Sequence, residues 1–477
     1  MHDVIALGVL ALVFLVATVR SINMGALALV SAAVVGVTVF GVGPDEVVGG
    51  FPASLFVILV GVTYLFALAK NNGTVDWMVH ASVRAVRGRV ALVPWAMFGI
   101  CAVIAGIGAA TPATVAIVAP VGMGFAARYR ISPVLMGMAI TLGATGGSFS
   151  PIGIFGAITN GVVSDNDLPA NPALLFGLSL VSCFVITLLA FVLFGGRELM
   201  SRGRDTEAED ELASTAVAAS RTATRATVTG TPESAVERAR TGGASADTTA
   251  SSTSPAPTSA SSGVTARDAE AAPADDDSRL NPERTLTLVG LAFLAVSALL
   301  LKFDVGFTAL GVAVVLTLVF PNSAKGAVDK IAWGTVLLVG GIVTYVSLLQ
   351  DQGTVEWLGE QVAGVGAPLL AALLICLIGA TVSAFASTTG ILGALIPLAV
   401  PFLLTGQVGA IGLVIALAIS SSVVDISPFS TNGALCVANA EARDRDSVFR
   451  QLMRWGMSLV VVAPLVTWTV LVVPGWL

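Results

Sequence analysis

The chain has 477 residues, of which 55% are hydrophobic and 11% are charged, and its formal net charge is −6. Soluble domains carry about 25% charged residues, so this composition excludes a soluble enzyme. The absence of a basic domain argues against a nucleic-acid partner. Apolar runs long enough to cross a ~30 Å hydrocarbon core recur along the chain, which predicts an all-α polytopic membrane protein in a lipid bilayer.

The predicted elements follow the same order in the two halves of the chain. Three spans come first, at 3–19, 23–41 and 53–70, and again at 285–302, 304–320 and 332–350. A short amphipathic stretch follows, at 74–87 and at 354–364. Two apolar arms come next, at 90–107 with 113–127, and at 367–383 with 390–404. Each half closes with a span interrupted by Gly, Ser and Pro and an uninterrupted span, at 133–162 and 172–194, and at 408–439 and 455–474.

The segment between the halves has a different composition. From 197 to 283 it consists mainly of Ala, Ser, Thr, Pro, Gly, Asp and Arg. Such a segment cannot bury enough apolar surface to offset its ordering entropy. We therefore predict a first membrane repeat at 1–196, a disordered linker at 197–283 and a second membrane repeat at 284–477.

Short motifs indicate that the two halves are repeats. Val62-Thr63-Tyr64 recurs as Val343-Thr344-Tyr345, and two of the three tyrosines of the chain occupy these matching places. Pro120 and Pro151 recur as Pro397 and Pro428, with the same spacing between the two prolines in each half. Matches spread over such a long stretch are typical of an internal repeat of the kind found in transporters.

The number of crossings and the distribution of charge predict an inverted arrangement. The paired arms of each half return the chain to the side of the membrane from which they start, whether they span it fully or re-enter. Each half therefore crosses the membrane five times. Five is odd, so the second repeat is inverted, and the fold has ten crossings with two re-entrant hairpins. Lys and Arg then gather on the side of the linker, which marks that side as cytoplasmic. We expect a plasma (inner) membrane protein with both termini outside and a cytoplasmic linker.

The junctions between the paired arms, at 106–114 and 383–390, are the first candidate sites. Irregular backbone survives in hydrocarbon only where it is buried or lines an aqueous cavity. A hairpin tip leaves helix N-terminal N–H groups beside hydroxyl side chains, which suits an anion. The alternative is two ordinary helix pairs with polar surface turns.

The interrupted spans, at 143–151 and 420–433, are the second pair of candidates. Proline and glycine favour unwinding, and unwound carbonyls can hold Na⁺. The alternative is a proline kink with back-bonded Ser and Thr. Asp425 is the only carboxylate well inside a predicted span, so it is a candidate for cation coordination or proton coupling. A structural hydrogen bond is its other interpretation.

Several chemistries have no support in the sequence. No phosphate-binding G-x-x-x-x-G-K-[ST] motif occurs, and the two histidines, His2 and His80, lie outside the predicted spans. The four cysteines lie in apolar segments without metal-binding spacing. We therefore expect no enzyme activity and no cofactor.

At these residues the sequence resembles a known group. Gly61–Phe66, Asn72–Trp77 and Arg128–Pro133 resemble the N-terminal domain of the MatC dicarboxylate (malonate) carriers. The two-half plan resembles the ion-transporter superfamily that includes the divalent-anion/sodium symporters. Those symporters carry Ser-Asn-Thr at each hairpin tip, eight residues before a proline. Here Ser387-Thr388-Thr389 stands at that distance from Pro397, with Thr in place of Asn.

The resemblance implies a secondary active transporter of small dicarboxylates, such as malonate or C4 acids, coupled to Na⁺ or H⁺ by alternating access. It also implies a homodimer. The expected substrate-binding residues are Thr111, Thr114, Ser150, Ser387, Thr388, Pro428, Thr431 and Asn432. The expected cation-binding residues are Gly143, Thr145, Gly146, Ser148, Ser383, Thr389, Ser420, Ser421 and Asp425. The alternative function is a cation/proton antiporter that uses Asp425 and unwound carbonyls.

Overall fold

The fold was examined in a computed structural model. It describes residues 1–19, 22–86, 89–166, 168–201, 280–301, 303–355, 357, 368–385, 388–404 and 407–475. Most of the predicted linker, 202–279, therefore lies outside the described residues. The regular elements of the described part are helices, which confirms the all-α prediction. Five of these helices are long and apolar enough to cross a membrane.

The first half contains eleven α-helices within its described residues. They are α1 (His2–Val19), α2 (Met24–Val35, continued by a π-helical turn at Gly36–Phe40), α3 (Pro44–Gly49), α4 (Ala53–Asn71), α5 (Thr74–Ala85), α6 (Val93–Gly106), α7 (Thr111–Arg128), α8 (Pro133–Ser148), α9 (Ile154–Asp165), α10 (Pro172–Leu193) and α11 (Gly196–Ser201).

The described residues of the second half form eight more. They are α12 (Pro282–Val296, continued by a π-helical turn at Ser297–Leu301), α13 (Val305–Val319), α14 (Trp333–Asp351), α15 (Pro368–Ser383), α16 (Thr388–Leu404), α17 (Ala410–Val423), α18 (Thr431–Asn439) and α19 (Arg445–Thr467, continued at Trp468–Val472).

Helix boundaries differ from the sequence expectations at the two ends of the linker. The helix α11 occupies the first residues of the predicted linker. The helix α12 begins at Pro282, because the Asn281 side chain accepts a hydrogen bond from the Arg284 N–H and proline suits the first helical position. Most of the predicted amphipathic stretch 354–364 lies outside the described residues.

Helices of the two halves pack on each other in reciprocal pairs. The helix α4 packs on α13, and its counterpart α14 packs on α2. The half-helix α9 packs on the hairpin arm α16, and its counterpart α18 packs on the hairpin arm α7. Each half therefore completes the core of the other.

Glycines make two of these reciprocal crossings possible. A β-carbon on Gly341 would lie 2.0 Å from the carbonyl oxygen of Gly25, and one on Gly61 would lie 2.6 Å from that of Gly306. Gly25 in α2 and Gly306 in α13 are separated along the chain by the same interval as Tyr64 and Tyr345. Small residues at such crossings let helix backbones approach closely in a membrane.

Hydrogen bonds identify the two ends of the bundle. At the end that we call the linker end, the Asn71 side chain donates to the Ser323 carbonyl at 2.8 Å and contacts Lys330. At the opposite end, the N-terminal end, Gln350 donates to Asn166 at 3.0 Å. The helix α4 finishes at the linker end, whereas α14 begins there and finishes at the N-terminal end. These two equivalent helices are therefore antiparallel.

The first helix of each half is fixed to the other half at equivalent positions. Arg284 in α12 is buried, and its Nε donates to the Asn72 carbonyl at 3.3 Å. Asp3 holds the corresponding place in α1, and it accepts a hydrogen bond from the Thr354 hydroxyl at 2.9 Å. A cation thus fills this position at the linker end and a carboxylate fills it at the N-terminal end.

Candidate functional site

The tip of the first hairpin lies at the middle of α4. Gly108 has a φ of 105°, which suits glycine. A β-carbon there would lie 1.8 Å from Cγ1 of Val62, the central residue of α4. The junction between α6 and α7 therefore reaches the core of the bundle instead of a surface turn.

The second hairpin reaches the same depth on α14. A β-carbon on Gly390, in the first turn of α16, would lie 3.5 Å from Cδ1 of Ile342, the central residue of α14. Ser387, which the sequence predicts as a substrate ligand, lies outside the described residues. The predicted ligand Thr388 is buried and begins α16.

The break in the first interrupted span contacts the first hairpin. Irregular backbone at 149–153 separates α8 from α9. The Ser150 hydroxyl donates to the Gly106 carbonyl at 2.5 Å, and the Ser148 hydroxyl accepts from the Phe155 N–H at 3.3 Å. The predicted residue Ser150 therefore lies against the end of α6, beside the hairpin tip.

The helix α8 continues farther than the glycines suggested. Gly143, Thr145, Gly146 and Ser148 all lie within it. A β-carbon on Gly143 would lie 2.3 Å from the Phe98 carbonyl oxygen, and one on Gly146 would lie 3.2 Å from the Cys183 side chain. These glycines thus bring α8 close to α6 and α10, and their carbonyls belong to a regular helix.

The second interrupted span surrounds a buried carboxylate. A 3₁₀ turn at Val424–Ile426 follows α17 and contains Asp425, which is 5% exposed. The Asn432 side-chain amide donates to the Asp425 carboxylate at 2.7 Å. The Ser430 hydroxyl donates to the Asp425 carbonyl at 2.5 Å and to the Ser427 carbonyl at 2.8 Å. The break is therefore organised around Asp425 on both its backbone and its side chain.

The second hairpin contributes to the same group. Ser383 and Thr388, at the two sides of the tip, share a hydrogen bond of 2.9 Å between their hydroxyls. The Thr388 hydroxyl also interacts with the Asp425 side chain. We call the four residues Ser383, Thr388, Asp425 and Asn432 the Asp425 cluster. It unites residues that the sequence assigned to a cation and residues that it assigned to the substrate.

The remaining predicted residues of the second half lie on α16, α17 and α18 and in the break that contains Asp425. Ser420 donates to the Leu417 carbonyl at 3.2 Å, and Ser421 faces Gly379 of α15. Thr389 and Thr431 are half-buried at the starts of α16 and α18, and Pro428 is buried. Ser420 is therefore engaged by its own helix, whereas the two threonines stand at helix N-termini.

Several buried oxygens near the breaks have no hydrogen-bond partner within the described part of the chain. They belong to Thr114, Thr145, Ser421 and the side-chain carbonyl of Asn432. The hydroxyls of Thr63 and Thr344 instead donate to carbonyls one turn earlier, whereas those of Thr159 in α9 and Ser179 in α10 also lack a partner among the described residues. Buried polar groups are normally hydrogen-bonded, so these oxygens are suited to hold a ligand.

The helices that begin at the tips and breaks differ in their caps. Ala110 before α7 provides no side-chain cap, whereas at the start of α9 the Ser148 hydroxyl accepts from the Phe155 N–H in place of a cap from Gly153. Before α18, the Ser430 hydroxyl accepts from the Gly433 N–H at 3.2 Å. The uncapped N–H groups at the start of α7 can therefore bind an anion. The role of Ser430 was missed at the sequence level, although serine before a helix is a capping signal.

Comparisons with known proteins match two parts of the chain. The family model "Dicarboxylate carrier protein MatC N-terminus" matches residues 1–148. The family model "Citrate transporter" matches residues 297–474. No curated protein sequence matches the chain. The first match confirms the resemblance to the MatC carriers, and the second extends it to the half that contains the Asp425 cluster. Two separate parts of the chain thus each resemble a family of organic-acid carriers. Together with the apolar helices, these likenesses point to a multi-pass membrane carrier and not to an enzyme.

Proposed function

We propose that the chain is a secondary active transporter of small dicarboxylates, coupled to the movement of Na⁺ or H⁺. The observation that carries this proposal is the contact between hairpin tip and helix break in both halves. Ser150 binds Gly106 in the first half, and Thr388 interacts with Asp425 in the second. Two tips and two breaks at mid-bundle depth form the kind of site that transporters use for substrate and ion.

The charges of the site favour joint binding of an anion and a cation. The segments 106–114, 143–153, 383–390 and 420–433 contain no Lys or Arg, and Asp425 is their only charged residue. The anion is therefore held by hydroxyls and helix N-termini, with Thr111 and Thr114 in the first hairpin. The cation is held by the Asp425 cluster.

Membrane energetics require the coupling. A dianion that enters a cell against −100 mV is opposed by about 4.6 kcal/mol, twice the ~2.3 kcal/mol for each elementary charge. The sequence contains no P-loop to supply this energy from ATP. Two monovalent cations make the cycle electroneutral, and three or more make it electrogenic in the favourable direction.

We further propose that the halves are inverted repeats that alternate access to the site, with two re-entrant hairpins and ten crossings. The antiparallel α4 and α14 and the reciprocal helix pairs support the inversion. Ser201→Cys and Gln352→Cys test it with a membrane-impermeant thiol reagent in oriented vesicles. We expect Ser201→Cys to react from the cytoplasmic side and Gln352→Cys from outside. Reaction of both from one side would refute the inversion.

The transport proposal is tested by uptake into proteoliposomes. Radiolabelled malonate, succinate and citrate are compared, with an imposed Na⁺ gradient, an imposed pH gradient or neither. Saturable uptake of one acid that rises with a cation gradient is the expected result. Absence of uptake together with Na⁺-dependent proton flux would overturn the proposal in favour of the cation/proton antiporter.

A further inference from the structure

A cavity of about 270 Å³ opens at the N-terminal end, between the two halves. One wall is the segment Gly49–Ser54 together with the end of α9. The other wall is α14, and Pro397 of the hairpin arm α16 completes the lining. The sequence did not point to this cavity, because its walls are distant in the chain and lie outside the hairpins and breaks.

The cavity extends from the end of the bundle toward the second hairpin. Its lining on α14 runs from Gln350 at the mouth to Val343 at the floor, roughly 10 Å at 1.5 Å per residue. Val343 adjoins Ile342, the residue that Gly390 approaches at the start of α16. Thr388, in the same first turn of that helix, belongs to the Asp425 cluster. No residue of the cluster lines the cavity, and Pro397 of the lining lies nine residues from Thr388 along α16, roughly 14 Å at 1.5 Å per residue.

The mouth of the cavity carries negative charge and oxygen ligands. Asp165, the last residue of α9, is the one charged residue among the lining residues and accepts a hydrogen bond from the Ser54 hydroxyl at 3.5 Å. Gln350 donates to Asn166 at 3.0 Å across the mouth. The C-terminal ends of α9 and α14 both lie here, and helix C-termini attract cations.

The surrounding segments strengthen this field. The stretches 41–54, 162–171 and 350–357 contain no Lys or Arg. Their acidic residues in the described part of the chain are Asp45, Glu46, Asp165 and Asp351. A cleft lined by one sign of charge raises the local concentration of the opposite ion. The mouth of the cavity thus disfavours a free dicarboxylate and concentrates monovalent cations.

We propose that this cavity is the entry path of the coupling cation to the Asp425 cluster, and that Asp165 is the residue that draws the cation into it. The inference rests on the cation coupling of the proposed function. It assigns the cavity to a monovalent cation and not to the organic acid, and it gives Asp165 a role in cation supply that is separate from binding at the Asp425 cluster.

Thiol chemistry tests the path without any transport assay. Ser347 lines the cavity between mouth and floor, and the four native cysteines are buried, so Ser347→Cys introduces one reactive thiol. Its reaction rates with cationic and anionic methanethiosulfonate reagents are compared, each relative to the rate with a free thiol. We expect the cationic reagent to be preferred. Adding Asp165→Asn should reduce the ratio of the cationic to the anionic reaction rate about tenfold, as expected when a unit charge a few ångströms away in a hydrated cleft is removed.

Asp351→Asn is the matched control, because Asp351 is a carboxylate at the same end that does not line the cavity. It should leave most of the preference intact. Asp165→Ser serves as a second neutral variant if Asp165→Asn is poorly produced. Equal rates for the two reagents in the Ser347→Cys protein, or equal effects of Asp165→Asn and Asp351→Asn, would overturn the proposal.

Uptake measurements separate this inference from the proposed function. In proteoliposomes that accumulate malonate, succinate or citrate, Asp165→Asn should raise the cation concentration for half-maximal uptake about threefold and leave the substrate KM at saturating cation unchanged. A rise in substrate KM alone would overturn the assignment to a cation. If the wild type transports no acid while the thiol preference depends on Asp165, the proposed function fails and the cationic path stands.

Discussion

The two helix breaks occupy equivalent places in the chain and have different chemistry. The first, at 149–153, is neutral, and the Ser148 hydroxyl accepts from the Phe155 N–H of the helix that follows. The second contains Asp425, and Ser430 caps the helix that follows. The position equivalent to Asp425 in the first half is Ser148, since each precedes the proline of its break by the same interval. Equivalent places in the sequence thus hold a neutral hydroxyl in one half and a carboxylate in the other.

This difference assigns the two ligands to different halves. Free N–H groups at a helix N-terminus carry a partial positive charge that favours an anion. A capped helix start beside a carboxylate offers fewer free donors and a full negative charge, which favours a cation. In our proposal the first half therefore dominates the affinity for the dicarboxylate, and the second half dominates the dependence on the coupling ion.

The largest expected effect comes from Gly143, which the sequence placed among the cation ligands and the structure places against α6. In Gly143→Ala the new β-carbon would lie 2.3 Å from the Phe98 carbonyl oxygen, so α8 and α6 must separate. We expect a loss of stability of about 3 kcal/mol. Thermal unfolding of the purified protein in detergent measures it, in the presence and absence of Na⁺.

The control for this change is Gly99→Ala in α6, where a β-carbon meets nothing within 4 Å. It should be neutral or slightly stabilising, because alanine favours helix more than glycine does. If Gly143→Ala keeps its melting temperature but loses stabilisation by Na⁺, the role of Gly143 is in the ion site and not in packing.

The next effect concerns the carboxylate that distinguishes the second break. Asp425→Asn keeps a side chain of the same size that can still pair with Asn432, but removes the negative charge. We expect the cation concentration for half-maximal uptake to rise at least tenfold, about 1.4 kcal/mol, with little change in the ratio of malonate to succinate uptake. Uptake at varied Na⁺ and pH measures this.

Asp351→Asn, a carboxylate at the N-terminal end of the bundle, is the control and should leave the Na⁺ requirement unchanged. Ser148→Asp sharpens the comparison, because it gives the first break the charge that the second one has. It should weaken dicarboxylate uptake. If Asp425→Asn retains the cation and pH dependence of the wild type, the carboxylate is structural, and hydroxyls and carbonyls alone form the second site.

Much of the fold could be predicted from the sequence because membrane spans are set by local composition. The predicted span 53–70 corresponds to α4 at Ala53–Asn71, and 332–350 corresponds to α14 at Trp333–Asp351. The predicted correspondence of the halves depends on motifs such as Val62-Thr63-Tyr64, which recurs as Val343-Thr344-Tyr345. Hydropathy and repeat spacing are properties of the chain itself, so no knowledge of packing was needed for them.

The site was harder to predict because glycine has two roles that look alike in a sequence. Gly143 was expected to permit unwinding, yet it brings two regular helices together. Only the neighbouring helix distinguishes the two roles. In the same way, Asp165 gains its position in the cavity from α14 and Pro397, which are far away in the chain. Asp425 could be singled out from the sequence because a lone carboxylate in an apolar span is costly wherever it packs, and its role in cation binding stays a prediction.

The smallest effect that we expect concerns the anion side of the comparison. Thr114 lies in the first turn of α7, and its hydroxyl is buried without a hydrogen-bond partner among the described residues. Thr114→Val removes this hydroxyl and preserves the shape of the side chain. Because an unsatisfied buried hydroxyl is unfavourable, the ligand-free protein should gain about 1 kcal/mol of stability. The substrate should bind about fivefold more weakly, also about 1 kcal/mol.

Thermal unfolding without ligand and uptake at varied malonate or succinate measure these two opposite changes in one variant. Thr63→Val is the matched control, because the Thr63 hydroxyl already donates to the Leu59 carbonyl at 2.6 Å within its own helix. It should leave the substrate KM unchanged. Removal of a hydroxyl that contributes only to folding would not both stabilise the ligand-free protein and weaken substrate binding. If Thr114→Val gains stability but its substrate KM is unaltered, Thr114 is not part of the anion site. The N–H groups of α7 would then be the main ligands of the anion in the first half.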